Sequence, residues 1–279
     1  MTADGDELPD VVGSAGLVPF LFGVSGLERL PGTALVRLLG DLGVGTSAAR
    51  TVIARLRTSG DLLSERVGRE AMYTLAGRMN EAFERIRDDP APHAWDGVFH
   101  GVLFNVPESA RSYRDRLRRL ARNDGYAPLR AGLLIHPYER WPQLSAALPP
   151  CPAGATVYPL QLRFSLADAR TITAAAWELP RRAAECRTAT EALERDVSAV
   201  PADLSGVAAL RLLVDCLRRP MSMLLSDPRL PPVLLPGDWP FHQLRHGIEA
   251  AEARLTGRAR DYAAAVADRP GVSPRAARP

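Results

Sequence analysis

The chain contains no lysine; its 35 basic residues are all arginine, and they outnumber the acids by only three. The pI is nonetheless near 9.0. A coding bias toward G and C produces arginine in place of lysine and enriches Ala, Gly, Pro and Leu. Arginine abundance alone therefore does not mark a phosphate-binding surface, and its clustering is what carries meaning. Cysteine is equally sparse, at three residues, Cys151, Cys186 and Cys216. The odd count and the absence of a CxxC pair exclude a disulfide framework and fit a reducing cytoplasm. No run reaches the roughly 18 apolar residues of a membrane span. Met1–Asp10 is acidic and lacks the charged-then-apolar order of a secretory signal. A cytoplasmic location is expected. Also missing are a glycine-rich phosphate loop, an HExxH pair and a GxSxG elbow around Ser25, so the common nucleotide-binding, zincin and serine-hydrolase signatures are absent.

What is present is a chain of 279 residues, 46% hydrophobic, long enough for two or three domains of roughly 100–150 residues each. Residues 1–13 and 270–279 read as disordered tails. Residues 14–90 read as a winged helix-turn-helix with a linking helix over 76–87. Its elements are a short apolar helix over Ser14–Val24, a second helix entered at Pro31, and a third capped by Thr46 or Ser47. That third helix buries Ala49, Val52, Ile53 and Leu56, spaced for one face. Gly60 ends it. Two strands, Leu62–Val67 and Ala71–Leu75, are joined by a turn at Gly68–Arg69. The paired prolines between Asp88 and His93 mark a boundary. Residues 91–164 alternate strand and helix: Val98–Val106, the basic helix Arg111–Arg122, Leu133–His136, Trp141–Leu148 and Thr156–Arg163. Such alternation predicts a small ferredoxin-like α/β sandwich. Residues 165–269 read as a helical domain, with Leu166–Ala192 interrupted at Pro180, then Leu204–Arg218, a proline-rich stretch over Asp227–Pro240, and Phe241–Ala267. The fold class is α+β.

The third helix carries the functional signal. Its buried face leaves Ser47, Arg50, Thr51, Ala54, Arg55, Arg57 and Thr58 outward, a surface that is basic, partly small and nowhere acidic. A major groove offers guanine acceptors to a guanidinium and thymine methyls to threonine, and a small residue such as Ala54 permits close approach. Arg66 and Arg69 flank the hairpin turn, where a wing reaches phosphate or minor groove.

At this point the chain resembles a known family. Residues Ala49 to Leu56, then Gly60, Ser64 to Arg69 and Tyr73-Thr74-Leu75, are similar to the DNA-binding domain of PaaX-type repressors, regulators of phenylacetate catabolism. Trp95-Asp96-Gly97, Val106-Pro107-Glu108, Arg114 to Arg118 and Gly132-Leu133 are similar to the family's middle domain. Asp227 to Pro232 and Leu234 to Pro240 form the most specific match. The resemblance spans roughly residues 14 to 266. It implies a homodimeric repressor that binds operator DNA and lets go when an aromatic acyl-CoA, such as phenylacetyl-CoA, binds. Glu70 stands where relatives are commonly basic, which implies a weaker wing contact with phosphate.

Candidate effector contacts are Arg111, Arg114 and Arg118 on the basic helix, with Trp177 and Trp239 as aromatic partners. A solvated arginine face and ordinary core tryptophans are the alternative reading of the same residues. Tyr158 and Phe241 belong to the same aromatic set. The middle domain also resembles small CRISPR-associated nucleases, but Phe104-Asn105-Val106 replaces the acid that would hold their metal, and Asn is a poorer ligand for a hard cation. No enzyme activity is expected; a metal-dependent nuclease and a ligand-independent regulator are the competing functions. His242, His246 and Glu249 have metal-like spacing without a third strong ligand. No cofactor is expected.

Overall fold

The computed structural model describes residues 13–77, 79–81, 84 and 94–268. Both tails, the Asp88–His93 boundary and much of the linking helix lie outside them. The chain forms two compact units, each assembled from separate stretches. Among the described residues, one takes 94–185 and 226–240, and the other takes 13–77, 79–81, 84, 186–225 and 241–268. These units cut across the three consecutive segments expected from sequence, because packing follows apolar faces and not chain order.

The unit containing the N-terminal region opens with helix α1 (Leu17–Ser25), strand β1 (Leu30–Pro31), helix α2 (Gly32–Asp41) and helix α3 (Thr46–Thr58). Strands β2 (Leu62–Val67) and β3 (Glu70–Leu75) form an antiparallel hairpin from Leu62↔Leu75 to Val67↔Glu70. β1 adds to the free edge of β3 at Leu30↔Tyr73 and Pro31↔Met72, giving sheet order β1-β3-β2. Three helices with a three-stranded sheet in this order make a winged helix. The hairpin turns at Gly68, whose φ of 62° suits glycine. The cap of α3 differs from expectation. Gly45 occupies it in extended conformation, with no side-chain bond, and Thr46 already lies inside the helix. Ala49, Ile53 and Leu56 are buried as expected, and Val52 is half-buried.

α1 is apolar nearly all round, so one neighbour cannot cover it. It packs on α2 and on the last helix, α9 (Phe241–Ala267). α9 in turn packs along α8 (Gly206–Leu225) through Leu244, Ile248, Ala251, Leu255 and Ala259, facing a buried row at Leu210, Leu213 and Leu217. α8 passes its expected end at Arg218 and carries Pro220 within it. Pro220 removes one helix bond yet remains buried, and the Leu217 and Leu224 packing on either side of it holds the helix together.

The middle unit holds β4 (Val98–Asn105), α4 (Arg111–Asn123), β5 (Ala127–Arg130), β6 (Leu133–His136), α5 (Trp141–Ala147) and β7 (Thr156–Arg163). All pairings are antiparallel and the order is β5-β6-β4-β7, the ferredoxin-like arrangement. One sheet face packs Val102, Phe104 and Leu134 against Tyr113, Leu117 and Leu120 of α4. The other packs Phe99 and Ile135 against Ala169, Trp177, Leu230 and Leu234. Those last residues come from α6 (Leu166–Ala176), the loop after it, and the proline-rich stretch. Arg170 Nε donates to the Val233 carbonyl at 2.8 Å. The Asp227–Pro240 string is thus a strap over one face of the sheet. The expected break at Pro180 falls instead at Trp177–Glu178, where Glu178 has φ 50°. Pro180 is the second residue of helix α7 (Leu179–Ser198), where its missing N–H costs nothing.

Candidate nucleic-acid interface

The turn from α2 into α3 presents two helices to one side. Leu35, Leu38, Leu39, Ala49, Ile53 and Leu56 lock them together from behind. In front lies a groove of about 430 Å³, lined by Thr33, Arg37, Thr46, Arg50, Ala54 and Arg57 among others. Ser47, Arg50, Thr51, Ala54, Arg55 and Arg57 are all exposed. The Thr51 hydroxyl donates to the Ser47 carbonyl at 3.0 Å, which turns its methyl group toward solvent. Among the described residues, Arg50, Arg55 and Arg57 have no side-chain hydrogen bond or ion pair, so their guanidinium donors remain available.

The wing is held differently. Arg66 Nε donates to the Gly68 carbonyl at 3.2 Å and braces the turn. Arg69 is exposed at its tip. Glu70 accepts a hydrogen bond from the Thr33 hydroxyl in the first turn of α2. Its charge is therefore directed at a helix N-terminus, where a carboxylate is favoured, and away from the wing tip. Glu65 likewise has a partner, the Arg29 guanidinium just before β1. Sequence reading missed Thr33 and Arg37. The apolar spacing of Leu35, Leu38 and Leu39 leaves position 37 outward, and that pattern was the available signal.

The five proposed effector contacts do not converge. Arg111, Arg114 and Arg118 sit on α4, over one face of the middle sheet. Trp177 and Trp239 pack on the opposite face. Arg111 and Arg114 are partnered by acids, at 3.5 Å to Asp115 and 3.0 Å to Glu108. Arg118 stacks 5.7 Å from the Phe104 ring centre. Trp177 is buried and donates to the Gly125 carbonyl at 3.1 Å. The sheet between them rules out a single pocket made of all five. Of the other aromatic candidates, Tyr158 is exposed on β7 and Phe241 is buried at the start of α9. Asn105 is exposed on β4, opposite Thr156. Among the described residues no three His, Cys, Asp or Glu side chains gather as a metal site. His246 pairs with Glu249 at 3.3 Å. No helix of the described residues is long and apolar enough to cross a membrane.

Two family models match the chain in succession. The first, described as a PaaX-like protein, covers residues 25–79, which is the winged helix from the end of α1 onward. The second, the PaaX protein central Cas2-like domain, covers 92–169 and so contains the whole β4-to-β7 sheet. The chain belongs to the PaaX family. PaaX proteins are transcriptional regulators. Among solved structures, the uncharacterized protein Rv0674 from Mycobacterium tuberculosis shares the fold, with a TM-score of 0.54 and 23% identity over 89% of this chain and 97% of that one. No curated protein matches. The PaaX-like match places the α2–α3 groove and the wing inside the matched segment, while the Asp227–Pro240 strap lies beyond both.

Proposed function

We propose that this PaaX-family chain is a homodimeric repressor that reads operator DNA with α3 and releases it on binding an aromatic acyl-CoA of the phenylacetyl-CoA type. The observation that carries the reading is the α3 surface, whose guanidinium groups are unpaired among the described residues and border an open groove. Arg50 and Arg57 are proposed to reach base edges or phosphate, Ser47 and Thr51 to contact the adjacent backbone and thymine methyls, and Ala54 to permit close approach. Arg55 lies on the flank. Arg66 and Arg69 supply the wing's phosphate contacts. Two winged helices in a dimer would bind half-sites about one helical turn apart or a multiple of it.

The decisive experiment selects duplexes from a random library with the full-length protein, then measures binding by gel shift. Arg50→Ala is expected to lower affinity for the selected duplex by about tenfold or more while leaving unselected DNA nearly unaffected, as for loss of a base contact. Equal loss on both DNAs would reassign Arg50 to the backbone, and no loss on either would remove α3 from the interface. For the effector, thermal unfolding in phenylacetyl-CoA at about 100 times its Kd should gain roughly 2.7 kcal/mol of stability. The solvent-facing Arg111 and Arg118 are the proposed contacts for the CoA diphosphate, and alanine at either should shrink that gain.

A further inference from the structure

We propose that Arg37 is a further DNA-backbone contact in the α2–α3 groove, and that Tyr262 of the C-terminal helix is the positioning residue that sets it, acting through Asp41. The proposal rests on the reading of α3 as the DNA-facing helix. Arg37 lines the same groove as Arg50 and Arg57. Its side chain is 56% exposed, whereas that of Asp41, one turn on, is 16% exposed. Arg37 Nε lies 3.5 Å from Asp41 Oδ1. The other carboxylate oxygen, Oδ2, accepts the Tyr262 hydroxyl at 2.6 Å. Arg211 Nε donates to the Asp41 backbone carbonyl at 2.5 Å, which fixes the residue in place from α8.

This division of the two oxygens has a consequence. A guanidinium is held most tightly when a carboxylate offers both oxygens to its fork. Tyr262 occupies one of them and also meets the Arg37 side chain itself, so Asp41 orients Arg37 at the groove edge without capturing it. The guanidinium charge stays available to a phosphate. Burial and the hydrogen-bonded Asp41 carboxylate push the Tyr262 pKa up, while the charge of Arg37 and its own hydrogen bond to the hydroxyl partly oppose them; the net rise keeps the hydroxyl a donor at neutral pH. The charged and titratable groups facing this point are Arg37, Asp41, Arg50 and Arg57 from the groove and Tyr262 and Arg211 from α9 and α8. Tyr262 is 221 positions along the chain from Asp41. It thereby ties the occupancy of a groove-edge cation to the seating of the C-terminal helix.

The test uses the full-length protein and a duplex it selects from a random library, beside an unselected duplex of equal length. Arg37→Gln should weaken both duplexes alike, and the slope of log affinity against log salt should fall by about one, the signature of one lost phosphate contact. Tyr262→Phe frees Oδ2 for Arg37, withdraws the guanidinium and should weaken binding by about threefold to tenfold in the natural background, yet do nothing in the Arg37→Gln background. Asp41→Asn cannot capture Arg37, so affinity should be retained or raised. Melting curves confirm folding of each variant, and if Tyr262→Phe melts early the other two still decide. An unchanged salt slope in Arg37→Gln overturns the contact. A Tyr262→Phe loss that is equal in both backgrounds overturns the positioning role and leaves only a structural one. If Arg50→Ala binds both duplexes as the natural protein does while Arg37→Gln behaves as stated, the α3 reading fails and the Arg37 contact survives.

Discussion

His136 ends β6 with only 2% of its surface exposed. Its ring sits between Tyr126 and Tyr138, with centres 5.4 and 5.8 Å away. Nδ1 lies against the Tyr138 backbone, 2.8 Å from the carbonyl oxygen and 3.0 Å from the nitrogen. Burial disfavours the imidazolium and lowers the pKa to about 4; Arg140 and His100 push the same way, and Tyr138 and Glu139 partly oppose them. The unfolded chain, with histidine near 6.5, then binds the proton first. Stability is fully present above pH 6.5 and falls as pH drops through 6.5 toward 4. The acid loss amounts to about 3 kcal/mol from a shift of this size. Urea midpoints at pH 7 and pH 4.5 should separate for the natural protein and draw together for His136→Gln. An unchanged gap would move the acid sensitivity to another group. The strand was legible from its apolar run, but its last residue's burial was not. That depends on the Tyr126 ring arriving from before β5.

At the scale of elements, helix approach is set by glycine. A Cβ on Gly206 would lie 2.7 Å from the Tyr262 Cβ and 3.2 Å from the Arg258 carbonyl, both rigid parts of α9. Gly206→Ala should therefore force α8 and α9 apart and cost about 1–3 kcal/mol, read as a lowered melting temperature. Gly257→Ala, on an open face with nothing within 4 Å, is the control and should be neutral or slightly stabilising, because alanine is the better helix former. The elements legible in the sequence carry a local signal: an apolar period in α3, α4, β7 and α9, an unbroken apolar run in β6, and a glycine turn between β2 and β3. β1 spans two residues and β5 four, with Pro128 and a bulge in the latter. Neither has a period of its own, and each exists because a neighbouring strand offers unpaired backbone groups. The α3 cap was misplaced by a residue for a similar reason. Hydroxyls at Thr46 and Ser47 suit a cap chemically, but the extended Gly45 before them begins the helix.

In the whole molecule, the winged helix is built together with C-terminal helices. Arg260 Nε donates to the Val24 carbonyl at 3.3 Å, and Arg211 donates to that of Asp41. Both guanidinium groups satisfy carbonyls at helix C-termini, where cations are favoured. Six of the nine α1 residues are buried, more than a helix covered on one side would bury. A fragment ending at residue 89 lacks α8 and α9 and is expected to lose its cooperative melt by circular dichroism. A fragment melting like the intact protein would show the N-terminal segment to be self-sufficient.

Taken by itself, the sequence determined the local elements and the outward composition of α3. Those follow from backbone propensity and from an apolar period read over a dozen neighbouring residues. Tertiary structure alone decided which distant segments share a core. It placed the candidate tryptophans across a sheet from the candidate arginines, turned Glu70 toward α2, and brought Tyr262 to Asp41. Such meetings depend on how whole apolar faces fit together over long stretches of chain, and no local pattern encodes that fit.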